Sequence, residues 1–300
     1  MTVKDYTNLG EEVMSRLRGL NDLPSLPIVI MRLTEILQDE DSSAQQVSRI
    51  MEDDPAIMAR VIKVVNSAFY SGAFASKPVT HVRHAIVRLG FDAIRNIALT
   101  TSVFSVFKED HKQIFNRNEF WRHCICTGII ANVLYRFCKK SDIRIPVESM
   151  FLGGLLHDMG KIVMEQYFHD LFTEVLRYGE RKKVPLFMIE EQVLSLTHAQ
   201  IGAWLARRWK LSEDLITCIE HHHKPENAPP VYRAMAGIVH VADYICNLKA
   251  LGQSGNTVPP PFNQSVWGEL GLEITMISDI MDIVDVEAKK SEILLSLKGS

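Results

Sequence analysis

The stretch Phe151 to Lys161, FLGGLLHDMGK, is apolar for six residues and then sets His157 beside Asp158. Burying an ionisable group costs several kcal/mol unless it is paired, hydrogen-bonded or bound to a metal. A chain that carries this pair inside an apolar helix must therefore bring other polar groups to meet it. That requirement constrains the fold more than any other feature of the sequence.

The rest of the chain reads as helical almost throughout, because no alternating run of β-branched residues is bounded by turn dipeptides. Its 300 residues and 47% hydrophobic content suffice for a substantial core. Ser43 can cap a helix through Val47, Ile50 and Met51. Asp54-Pro55 reads as a cap followed by proline at the first helical position, continued by Ile57, Val61, Ile62 and Val65. Pro78 opens a helix through Val82, Ala85, Ile86 and Leu89 that Gly90 stops, and Asp92 starts the next. The polar run Lys108 to Glu119 is the expected internal boundary, giving segments 1–115 and 116–300. Beyond it the spacing predicts helices near 119–138, 147–166, 169–183, 186–193, 198–209, 212–222 and 230–249. Leu251 to Gln264 reads as a loop long enough to be a lid, followed by a helix over about 273–297.

The problem posed by Asp158 recurs across the second half. His123 sits in FWRHCICTGIIANVL, His198 in SLTHAQIGAWLARRW, and Asp243 in AMAGIVHVADYICNL, while His221, His222 and His223 end a helix before Pro225. Five segments thus each carry an imidazole or carboxylate into helices expected to be buried, and a shared cation resolves all of these burial costs together. Such ligands suit Fe, Mn, Zn, Ni or Co. Adjacent helical residues point about 100° apart, so His157 and Asp158 can serve one metal, or Asp158 can bridge two. Two metals together would generate hydroxide and clamp an in-line displacement at phosphorus. Lys161, three residues on, lies on the side of Asp158 where a phosphate oxygen would sit. His81, His84, His111 and His169 are expected to be ordinary surface or core histidines. His240, one turn before Asp243, is a candidate to hydrogen-bond it, though an ordinary core role fits slightly better. Glu190 and Glu191 are expected on a solvated face.

A formal net charge of −3 argues against a protein that coats nucleic acid. The opening MTVKDYTNLGEE is polar, so no secretory leader is expected, and no apolar run of about 18 residues suggests a membrane span. Five cysteines without a CxxC pair suit free thiols in the cytoplasm.

The order His123, His157-Asp158, His198, His222-His223, Asp243 resembles the signature of the HD superfamily of metal-dependent phosphohydrolases, and HDMGK resembles the HDxGK variant of its HD-GYP branch. The first half (LPSLPIVIMRLTEIL, IMEDDPAIMARVIKVVNSAFY and PVTHVRHAIVRLGFDAIRNIAL) resembles the HDOD domain, the HD-related output domain of bacterial signalling. The resemblance spans about residues 18 to 249. It implies an all-α fold, an N-terminal helical bundle packed on an HD-like helical bundle. It also implies one or two divalent transition metals: His123, His157, Asp158 and Asp243 around one, Asp158, His198, His222 and His223 around a second, and Lys161 on substrate phosphate. Asp158 and Lys161 would be the catalytic residues. Two departures weigh against catalysis. KPENAPP follows His223 where the HD-GYP branch carries GYP, and HDOD members as a family lack an established activity.

The resulting expectation is a signal-transduction output module with a retained HD-type metal site, partnered by signalling proteins or a small phosphorylated ligand. The alternative is an active phosphohydrolase on a nucleotide or other phosphoester. A third reading, nucleic-acid binding through Arg83, Arg88 and Arg95 of the first half, runs against the acidic balance.

Overall fold

The computed structural model describes residues 9–20, 23, 25, 31–32, 44–66, 78–107, 116–139, 145 and 147–295. Every regular element among them is helical. In chain order the helices are α1 (Leu9–Gly19), α2 (Ala44–Glu52), α3 (Pro55–Val65), α4 (Val82–Leu89), α5 (Phe91–Val106), α6 (Arg117–Phe137), α7 (Val147–Leu156), α8 (Met159–Tyr167) and α9 (His169–Lys182). They continue as α10 (Leu186–Leu194), α11 (His198–Arg208), α12 (Glu213–His221), α13 (Arg233–Leu248), α14 (Gln264–Glu269), α15 (Ile277–Glu287) and α16 (Lys290–Leu295). None of these helices is long and apolar enough to cross a membrane.

Two compact units divide the chain, one built from Met1–Leu23 and Glu109–Asp285, the other from Pro24–Lys108 and Val286–Ser300. Each unit is built from two separate segments, the larger taking the N-terminal end of the sequence and the smaller its C-terminal end. The contacts of α1 show why it joins the larger unit. Its Val13 and Leu17 are buried, its Arg16 guanidinium lies 5.0 Å above the Phe168 ring, and a Cβ on Gly10 would stand 2.3 Å from the Leu194 carbonyl oxygen.

In the smaller unit, Asp54 accepts the Ile57 amide at 3.1 Å and caps α3, as the Asp-Pro dipeptide predicts. The Asn66 side chain then bonds both backbone groups of Val79 at 2.7 Å. Met51, Val61, Val65, Ala85, Leu99 and Val103 form the core. Arg83, His81 and His84 are exposed. Arg95 is wholly buried, which removes one of the three arginines considered for a nucleic-acid face. Ser43 and His111 lie outside the described residues.

The larger unit is organised around α6, which is buried on nearly every side. A helix that is apolar all round is a core helix, and α7 and α13 pack against this one. The approach to α7 is close enough that a Cβ on Gly154 would lie 2.5 Å from Gly128 Cα. The contact between α8 and α11 is closer still: a Cβ on Gly160 would sit 1.9 Å from the His198 carbonyl oxygen and 2.9 Å from the Gly202 nitrogen. Gly160→Ala therefore forces the two helices apart. It is expected to lower the unfolding free energy by about 2–3 kcal/mol, in the overpacking range, read from the midpoint of urea denaturation.

Three expectations of the sequence are revised. The helix foreseen over 147–166 is interrupted at His157 and Asp158, and the one over 273–297 is split into α15 and α16 after a single 3₁₀ turn at Ile274–Met276. The segment Leu251 to Gln264 is anchored rather than poised as a lid. The Gln253 amide donates to the Glu119 carbonyl at 2.9 Å, and Ser254 Oγ donates to Asn247 Oδ1 at 2.7 Å.

Candidate metal centre

The interruption between α7 and α8 builds the centre. Asp158 occupies the junction with φ −98° and ψ 6°, and His157 Nδ1 donates to the Gly154 carbonyl at 2.7 Å. That bond leaves His157 Nε2 as the free ring nitrogen, 3.3 Å from Asp158 Oδ2. Neighbouring residues that a continuous helix would splay apart thus converge on one point.

The Asp158 carboxylate has two sides. Oδ2 faces His157 and, at 3.7 Å, His123 Nε2. Oδ1 faces His198 Nε2 at 3.1 Å and His222 Nε2 at 3.7 Å. On the Oδ2 side, Asp243 Oδ1 lies 3.1 Å from His123 Nε2 and 3.7 Å from His157 Nε2. On the Oδ1 side, His223 Nε2 lies 3.0 Å from His198 Nε2. The donor atoms fall into two groups, His123, His157 and Asp243 in one and Asp158, His198, His222 and His223 in the other, each within 4.8 Å internally. All seven residues singled out by the sequence are brought together, from α6, the α7–α8 junction, α11, the end of α12 and α13. Lys161 joins them differently from expectation: its ammonium is buried and donates to Asp158 Oδ2 at 2.6 Å.

Supporting contacts fix the rings. Glu190, expected on a solvated face, is buried instead. Its Oε2 accepts from the His198 backbone amide at 2.9 Å and from His198 Nδ1 at 2.6 Å, which turns Nε2 toward Asp158. His222 Nδ1 donates to the Ile219 carbonyl at 2.8 Å. His240 bonds not Asp243 but the His222 carbonyl, at 2.8 Å through Nδ1, while its Nε2 accepts the Asn263 amide. Asn247 Nδ2 donates to Asp243 Oδ1 at 2.7 Å. Asn247 is in turn held by Ser254, whose Oγ also accepts from Asn256 Nδ2, and Asn256 Oδ1 accepts the Leu186 amide at the start of α10.

Charge accounting shows what the cluster lacks. Burial alone would raise the carboxyl of Asp158, but His157 and Lys161 beside it hold it well below the usual range; His123 and His157 do the same for Asp243. With Glu190, three buried carboxylates face one buried ammonium and leave two negative charges. Burial pulls His157 down, yet Asp158 and Asp243 outweigh it and take the ring up to about 10. Glu190 likewise outweighs burial and raises His198. Burial keeps His123 low; burial together with His157 lowers His222, and burial together with His222 lowers His223, so these three remain neutral with lone pairs available. Among the described residues, His123 Nε2, His157 Nε2, Asp158 Oδ1 and His222 Nε2 are buried without hydrogen-bond partners. Unsatisfied imidazole and carboxylate atoms of this type, facing one another in a buried cluster, fit a divalent cation.

An all-helical chain with a buried histidine–aspartate cluster between helices defines a class, and sequence comparison places the chain within it. The HDOD domain model matches residues 23–225, and the chain belongs to the HDOD family. An HDOD domain protein of unknown function from Geobacter sulfurreducens is 26% identical, with a TM-score of 0.77 over 97% of this chain and 99% of that one. A candidate signal transduction protein from Marinobacter aquaeolei shares the fold at 23% identity, TM-score 0.81, over 100% of this chain and 67% of its own. A candidate phosphohydrolase from Shewanella amazonensis does so at 23% identity, TM-score 0.70, over 94% and 97%. An uncharacterized protein of Treponema pallidum is 23% identical over 237 residues, 79% of this chain; the chain spans only 44% of that relative.

Proposed function

We propose that this chain is a bacterial signal-transduction output module of the HDOD family that holds a divalent transition metal centre in its buried cluster. The observation that carries the reading is the two-sided Asp158 carboxylate, with imidazole nitrogens facing both of its oxygens. His123, His157, Asp158 and Asp243 would hold one cation, and Asp158, His198, His222 and His223 a second. A bound pair would supply Lewis acidity toward phosphoryl oxygens and a lowered pKa for bound water. The chain's own residues do the positioning. Lys161 keeps Asp158 ionised, Glu190 aims His198, and Asn247 orients Asp243. This arrangement suits recognition of a small phosphorylated ligand, or of signalling proteins that read the occupied state.

The same two-sided placement of Asp158 favours a second reading, hydrolysis of a phosphoester. Here Lys161 acts on Asp158 and not directly on substrate, because its ammonium is buried and committed.

Purified protein is expected to contain one to two equivalents of Fe, Mn, Zn, Ni or Co per chain by elemental analysis. Glu190→Ala, which frees His198 to rotate, is expected to weaken retention on the Asp158–His198 side by about 10–100-fold, measured by competition with a chelator. Metal-loaded protein that turns over no member of a broad phosphoester panel would leave the output module and discard the hydrolase. Protein purified without any transition metal, and unable to take one up, overturns the metal centre.

A further inference from the structure

Six of the seven cluster residues are buried from solvent; His223 alone is half-buried. His223 is therefore the cluster residue that meets solvent. A cleft of about 190 Å³ opens there, lined by His223, Phe187, Glu191, Thr197, Glu220 and Lys224 among others. Its geometry is layered. The Phe187 ring stacks on the His223 imidazole at 4.2 Å with the planes 16° apart. The Lys224 ammonium lies 6.0 Å from the Phe187 ring centre and is paired with Glu191 Oε1 at 2.5 Å. Glu220, the other carboxylate of the wall, is held by Arg207.

We infer that this cleft is the approach to the centre, and that Lys224 is the residue that takes hold of a small phosphate group at its mouth, exchanging Glu191 for the incoming anion. The inference rests on the metal reading above and adds the ligand's size and the residues that admit it. Lys161 cannot serve, being sealed against Asp158. Lys224 can, because an exposed ion pair is worth only about 0–1 kcal/mol and a dianionic oxyanion outbids a single carboxylate. Sites for drug-sized ligands run to about 300–1,000 Å³, so a cleft of this size suits a phosphate group with a small substituent.

Cobalt-substituted protein gives the test a readout independent of turnover, since the visible d–d spectrum of Co(II) responds to an arriving ligand. Inorganic phosphate is expected to perturb that spectrum in a saturable way. Lys224→Ala should weaken the phosphate response about tenfold, the factor one hydrogen bond to a charged group supplies. Glu191→Gln should strengthen it severalfold, and Phe187→Trp, which crowds the cleft, should weaken it. Lys224 and Glu191 are each about half exposed, so their variants are expected to fold and to load cobalt as the parent does. Phenyl phosphate binding as tightly as phosphate identifies a monoester as the ligand, and weaker binding identifies the free anion. Cobalt uptake with no phosphate response, or a response indifferent to Lys224→Ala, overturns the inference and leaves the metal centre standing. Failure to take up cobalt overturns both.

Discussion

Asp158→Ala is expected to abolish retention of metal in both ligand groups and to destabilise the chain by about 3–5 kcal/mol, the cost of breaking a buried charge pair from one side. The size of the effect follows from what the carboxylate holds. Its Oδ2 accepts from the buried Lys161 ammonium, and its two oxygens face imidazoles from four other positions. Removal leaves Lys161 as a buried cation without a counter-ion. Urea denaturation with elemental analysis of the same sample reads both losses. Asp158→Asn separates them, because the amide keeps the volume and one acceptor. It should lose metal while recovering part of the stability, and a variant as stable and as metal-rich as the parent would sink the bridging role.

The second large effect is metal removal, and its pH dependence has a definite sign. A ligand that binds only the folded state stabilises it by about 4 kcal/mol at a thousandfold excess over its dissociation constant, so a chelated sample should melt lower by roughly 10 °C for a unit of this size. His157 has a folded pKa raised to about 10, against an ordinary value near 6.5. Its protonation therefore stabilises metal-free protein fully below about pH 6.5, and that contribution is lost as pH rises toward 10, at about 1.4 kcal/mol per pH unit. His157 would give up this proton on holding a cation. The advantage of loaded over chelated protein should thus widen between pH 6.5 and 9, and calorimetric titration in buffers of different ionisation heat should detect proton release. An advantage that shrinks with rising pH would contradict the charge accounting.

Much of the centre was legible in the sequence because burial of an ionisable group on an apolar helix is a local signal. His123, His198 and Asp243 each break an otherwise oily stretch, and the structure gathers them. What escaped was set by tertiary contacts with no local mark. Glu190 and Glu191 are neighbours of the same type, yet one is buried against His198 and the other lies exposed beside Lys224. Nothing in the order of residues distinguishes them. The spacing of Asp158 and Lys161 was read correctly as one helical side, but not that the ammonium would be spent on the carboxylate. The allegiance of α1 to the larger unit depends on the close approach of Gly10 to Leu194, a fit that periodicity does not encode. The anchoring of Leu251 to Gln264 likewise depends on serine and asparagine side chains that composition alone assigns to a loop.

The link that runs from Asp243 through Asn247, Ser254 and Asn256 to the Leu186 amide has one more property. It is made of amides, a hydroxyl and a main-chain group, and none of these titrates in the physiological range. As the surrounding acids and imidazoles gain or lose protons, this strut keeps its donors and acceptors unchanged. The helix that carries Phe187, Glu190 and Glu191 is thereby moored at its first residue by a fastening that acidity does not loosen.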